Sequence, residues 1–251
     1  GRMRRFLEKH DAGRLNLVVL SEHASAQQVH ELRMEPGIGR RARQIILRSG
    51  SPIQPDALHR VACLDAAAVI VPSSQMEAGS LITPDVETVK ALLSIAAQAR
   101  QYNAPLPYVV AEIQDLRKLP VIERAYPGAV EVVAGDATIS RLMAQNILHP
   151  GLSEIYNELL TAGDGNELYV RGGETMVGMT LAEVAAQRPL AIVLGLLKRR
   201  GEHWSVWLVA PTDSVIDKED RVIMMARFYA DTDPNPKLPP LLLVSRGNPR
   251  V

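Results

Sequence analysis

The sequence predicts an α/β protein: a doubly wound parallel sheet, a helical crossover pair, and a second, smaller α+β lobe. Three observations predict it. Five short runs rich in Val and Ile alternate with helical patterns over the first 135 residues. Two amphipathic helical segments then follow each other with no strand between them. Beyond a Gly-Asp-Gly-Asn turn at 163–166, several short strands gather around one short helix.

The runs LNLVVL (15–20), RQIILRS (43–49), AAAVIVP (66–72), YVVAEI (108–113) and VEVVA (130–134) are of strand length. Near-continuous apolar runs of this kind read as strands buried on both faces, as in a parallel sheet. Residues 2–10 read as a first helix, so the chain is expected to enter the fold just past a first strand-to-helix turn. A first strand then either lies ahead of it or is lacking. In 83–100, Thr83 is placed to cap, Pro84 suits the first helical position, and Asp85 complements the helix dipole. Val86, Val89, Leu93 and Ala97 recur there at helical spacing and are expected to face the core. Strand–helix–strand repetition implies right-handed crossovers with helices over both faces of the sheet.

Asp136 is the expected cap of the next helix, whose Ile139, Leu142, Met143 and Ile147 form one stripe. His149-Pro150-Gly151 breaks it, since proline removes a donor and glycine permits a turn. A second helix then carries Leu152, Ile155, Tyr156, Leu159 and Leu160 on one face. Both stripes need cover, from the same domain or from a partner subunit. The small lobe is read as ELYVR (167–171), a short helix after Thr180, AIVLGLL (191–197), WSVWLVA (204–210) and RVIMMAR (221–227). From Asp233 onward, Pro234, Pro236, Pro239 and Pro240 give an extended tail. The expected partition is a Rossmann-like lobe over 1–135, the crossover pair over 136–162, the small lobe over 163–231 and a proline-rich linker over 232–251.

Composition excludes several classes. The chain has 251 residues with 47 % hydrophobic and 22 % charged, ordinary globular usage. Its 28 basic and 28 acidic residues balance, so no global field recruits nucleic acid or an anionic membrane. The single cysteine, Cys63, excludes an internal disulfide framework and reads as a buried structural thiol. Aromatics at 4 % argue against base-stacking platforms. Apolar runs such as 191–194 and 241–244 are far too short to span a bilayer, and the start of the chain does not read as a signal peptide.

Doubly wound sheets bind ligands outside the carboxyl ends of their strands. The residues that follow the predicted strands are therefore the site candidates: Glu22, Ser49-Gly50-Ser51, Ser73-Ser74 and Gln114-Asp115. An acidic residue ending the second strand of such a sheet accepts hydrogen bonds from ribose hydroxyls, and Glu22 fits that place as well as that of a solvated carboxylate. No G-x-G-x-x-G occurs, and Gly37-Ile38-Gly39 lacks the strand the motif requires before it. No G-x-S-x-G surrounds the loop serines, and the six histidines show no metal-ligand spacing. Asp213, Asp217, Glu219 and Asp220 do not match a calcium loop. No catalytic residue and no metal ligand is assigned on this basis. The enzyme alternative is a nicotinamide-dependent oxidoreductase with a truncated cofactor turn.

Ordered strings carry a family resemblance. ILRSGSP (46–52), AAAVIVP (66–72), YVVAEIQD (108–115), the stretch from Val130 to Leu160, ELYVR (167–171), GMTLAEV (178–184) and VIDKEDRVIMMA (215–226) resemble the CASTOR/POLLUX ion channel family. The likeness is to its cytosolic conductance-regulating (RCK, or TrkA-type) region. It implies a gating domain at the cytoplasmic face of the membrane that senses a small ligand or ion, calcium or a nucleotide, and couples it to a pore. It implies self-assembly into a dimer or larger ring and a membrane pore domain as partner, with no nucleic acid. It also implies that Glu22, Ser49, Gly50, Ser51 and Ser73 line the ligand site. The stripes Ile139, Leu142, Met143 and Ile147, and Leu152, Ile155, Tyr156 and Leu159, become the subunit interface. A TrkA-like subunit of a separate potassium-uptake complex is a further alternative.

Overall fold

The structure, a computed structural model, describes residues 16–22, 24–34, 45–73, 83–161, 165–201 and 203–235. The chain divides into two compact units, one from Leu15 to Leu152 and one beginning at Ser153. The expected helix 2–10, the Gly37-Ile38-Gly39 segment, Ser74 and the chain beyond 235 lie outside the described residues.

In the first unit, β1 (Leu17–Ser21) leads through α1 (Ala26–Met34) to β2 (Ile45–Ser49), and α2 (Pro55–Arg60) follows. Next come β3 (Val69–Val71), α3 (Pro84–Gln101), β4 (Val109–Ile113), α4 (Leu119–Ala125), β5 (Val130–Ala134) and α5 (Gly135–Leu148). All strand pairs here are parallel. The hydrogen-bonded ladder comes in two pieces, β1–β2 and β3–β4–β5. A doubly wound sheet carries one more strand between two such pieces, where the strand order reverses.

The core of this unit forms where alternate strand residues meet the helices. Val109, Ala111 and Ile113 of β4 are fully buried against Leu92, Ile95 and Ile122, with Leu20, Val69 and Val71 packed around them. The expected burial of both strand faces is corrected: Ile70 of β3 and Val133 of β5, on the opposite side, are exposed. The period-2 alternation of a strand decides this, since only one face of β3–β4–β5 meets the helical core.

The expected stripe of α3 is also corrected. Of its residues Val89 packs against the core, whereas Val86, Leu93 and Ala97 are exposed, and the buried face runs through Thr88, Ala91, Leu92, Ile95, Ala96 and Ala99. Two polar residues on this face bond to distant backbone: Thr88 Oγ1 donates to the Glu112 carbonyl at 3.1 Å and Gln98 Nε2 to the Pro55 carbonyl at 3.1 Å, while the buried Gln98 Oε1 has no hydrogen-bond partner. Thr83 occupies the N-cap position without a side-chain cap bond, and Pro84 is at the first helical position as expected. Likewise Ala134, not Asp136, is the cap residue of α5, with Asp136 in its first turn.

In the second unit, α6 (Leu152–Leu160) precedes β6 (Glu167–Gly172), α7 (Leu181–Ala186), β7 (Ala191–Arg200), β8 (His203–Leu208) and β9 (Arg221–Ala226). The four strands form an antiparallel sheet in the order β6-β9-β7-β8. Thr180 and Glu183 close a reciprocal capping box at the start of α7. Leu181 and Val184 of that helix then pack on Leu196, Val222 and Met224 from one face of the sheet. Arg188, buried, donates to the carbonyls of Thr232 (2.9 Å) and Val184 (3.2 Å), anchoring the turn at 229–232 to α7. Gly195 admits the bulge between Val193 and Gly195, because a Cβ there would collide with the Trp207 carbonyl.

Candidate functional site at the carboxyl edge of the parallel strands

The carboxyl ends of β1 and β2 are tied together. The Gly50 amide donates to the Ser21 carbonyl at 3.1 Å, which brings Glu22 beside the Ser49-Gly50-Ser51 loop. Glu22 is exposed, and the loop is held from below by Arg60, whose Nη2 donates to the Ser49 carbonyl at 2.9 Å. Gly50 has φ +150°, and a Cβ on it would lie 2.7 Å from the Ala57 Cβ. Only glycine lets the loop press this closely on α2. Four of the five residues expected at the ligand site are therefore neighbours.

The fifth, Ser73, is held at the end of β3 by another group. Its amide donates to Glu112 Oε2 at 3.0 Å, a residue of β4 that sequence reasoning passed over. The signal for it was present. Val110 and Glu112 alternate with the buried Val109, Ala111 and Ile113, so the carboxylate lies on the opposite face from the helical core. Gly135 brings the start of α5 near the same carboxylate, an added Cβ there lying 3.4 Å from Glu112 Oε1. The edge of β3–β4–β5 thus carries a serine, a carboxylate and a helix start.

Asp85 organises the loop after β4. Only 2 % exposed, it accepts from the amides of Gln114 (2.7 Å) and Asp115 (3.2 Å) and from Lys118 Nζ (2.8 Å). Burial alone would raise its pKa; the two amides and the Lys118 ammonium outweigh that and hold it below the usual carboxylate range. The role expected for it, complementing the helix dipole, is therefore joined by a larger one. Gln114 and Asp115, read as ligand candidates, are parts of this clamp, and Asp115 is further engaged by Arg117 at 2.9 Å.

Other candidates are structural. Cys63 is buried and its thiol is pushed up to about 11 by that burial, which keeps it protonated and unreactive at neutral pH. Asp220 accepts from Lys198 Nζ at 3.3 Å and from the Asp217 amide at 3.1 Å, pinning the turn before β9. Among the described residues, no three His, Cys, Asp or Glu side chains gather as metal ligands. No helix of the described residues is long and apolar enough to cross a membrane.

The expected interface stripes are bare on α5, where Ile139, Met143 and Ile147 are exposed, Ile147 at 81 %. On α6, Ile155 and Leu160 are exposed, while Leu142 of α5 and Leu152, Tyr156 and Leu159 are half-buried. Neither helix has a fully buried residue.

Parallel ladders followed by a helical pair and a small antiparallel lobe make up a fold that is also found among solved structures. The human SLO3 gating ring shares this fold over 86 % of the chain and 44 % of its own, with a TM-score of 0.60 and 16 % identity. Sequence adds a likeness to one family. Residues 136–241 match the family described as Castor and Pollux, part of voltage-gated ion channel. The "Probable ion channel POLLUX" of Oryza sativa subsp. japonica is 28 % identical over 182 residues, 72 % of this chain and 18 % of its own length. "Ion channel CASTOR" of Lotus japonicus is 27 % identical over 205 residues, 81 % of this chain and 22 % of its own. The resemblance to the CASTOR/POLLUX family read from the sequence therefore stands, and the chain spans about a fifth of the length of these relatives.

Proposed function

We propose that this chain is a cytosolic gating domain of a CASTOR/POLLUX-like cation channel, acting at the cytoplasmic face of the membrane below a pore domain. The observation that supports the reading is a sheet edge that gathers carboxylates, hydroxyls and a glycine turn, with bare apolar helices next in the chain. Glu22, Ser49, Gly50, Ser51 and Ser73 are the proposed ligand residues, with Glu112 added by the geometry. A carboxylate and hydroxyls at such an edge suit either a nucleotide's ribose or a calcium ion.

The proposed coupling is thermodynamic. A ligand moves the assembly between two arrangements only by as much as its affinity differs between them. The stripes on α5 and α6, covered by a second copy, are the surface through which that difference reaches the pore. The relatives are named as ion channels, which favours this reading over the oxidoreductase alternative.

Calorimetric titration with calcium, NAD(H) and ATP, beside an activity screen, tests the proposal. One of these is expected to bind without turnover, and Glu22→Ala to weaken it at least tenfold. A steady dehydrogenase rate would overturn the gating reading.

A further inference from the structure

The antiparallel sheet of the second unit has two faces of nearly equal size and covers only one. Strand register puts Leu196, Val222 and Met224 under α7. The alternate residues emerge on the other side. Leu168 and Val170 of β6, Ile192 of β7, and Trp204, Val206 and Leu208 of β8 are all exposed there, Val206 at 59 % and Leu208 at 61 %. Ile223, at the centre of this face, is already shielded by the side chains around it. One carboxylate borders the patch: Glu174 Oε2 lies 3.0 Å from where a Cβ on Gly172 would be, beside Arg221 across the ladder. The cations of the patch sit at one end, where the Arg221 guanidinium lies 4.4 Å and that of Arg199 6.0 Å from the Trp204 ring centroid.

We infer that this bare face is a second self-association surface, and that its occupant is the same face of a second copy. Six large apolar side chains at about half exposure present on the order of 500 Å², near the upper limit for an ordinary monomer surface. Two copies packed face to face remove about 1,000 Å², the lower bound for a specific interface. Sheet-on-sheet packing supplies the second layer that a half-covered sheet lacks. A two-fold axis in the sheet plane and across the strands sets each arginine end over the apolar end of its partner, so like charges are kept apart. The contact is isologous. It is separate from the helical contact of the proposed function, and two different two-fold contacts on one chain build assemblies larger than a dimer.

Light scattering on the 251-residue chain separates the two contacts. The wild type is expected to exceed a dimer, Val206→Glu and Ile147→Glu each to leave a dimer, and the double variant to be a monomer. A Val206→Glu protein with wild-type mass overturns the sheet contact, whatever Ile147→Glu does. An Ile147→Glu protein with wild-type mass overturns the helical contact alone, and a monomeric wild type overturns both. Val206→Cys is a second probe if the charged variant does not fold, because buried Cys63 is shielded from cross-linkers. A bifunctional thiol reagent is expected to link two copies through position 206. Intact monomer after treatment, or a Val206→Glu effect confined to binding of anionic vesicles, contradicts the inference.

Discussion

Two residues set the geometry of the sheet edge, and each makes a measurable claim. Asp85 joins α3 to the loop after β4 through two amides and one ammonium. Asp85→Ala leaves those donors unmatched in a nearly dry site and is expected to cost about 2–3 kcal/mol by denaturant titration. Because its pKa is lowered on folding, the stabilisation is complete above about pH 4, the ordinary carboxylate value, and is lost as pH falls through the lower folded value. Asp85→Asn is therefore expected to flatten the acid limb of the stability curve relative to wild type. Gly50 offers a second comparison. Gly50→Ala meets both an unfavourable φ and the Ala57 Cβ, and is expected to cost about 2–3 kcal/mol. Gly151→Ala, at φ +93° in open space, should cost only about 1 kcal/mol in thermal unfolding.

At the scale of elements, the sequence made strands easier to read than helix faces. Val-Ile runs located β1 to β5 within a few residues, because β-branched side chains are favoured on a pleated surface. The buried face of α3 was missed because Asp85, Thr88 and Gln98 are polar yet inside, each with partners from distant segments that periodicity does not register. Glu112 was passed over because the run around it reads as one continuous apolar strand. The capping box of α7 predicts that Thr180→Ala lowers stability by about 1 kcal/mol, with Glu183→Ala on the same background adding little, as a double-mutant cycle would show. On α5, Ile147→Glu is expected to change the unfolding free energy by no more than about 0.5 kcal/mol while lowering the assembly mass.

For the whole molecule, the two compact units divide the work proposed for the chain. The first carries the edge proposed to receive a solute, and the second carries an antiparallel sheet with one covered face. Large apolar side chains are exposed on α5, α6 and the outer sheet face, and the proposed association would cover them. Hydrogen exchange measured across a range of protein concentrations tests this most directly. Amides of 135–160 are expected to become slower to exchange as concentration rises, in step with the mass from light scattering. Exchange in that segment that is identical at every concentration, from a particle that remains a monomer, would contradict the account.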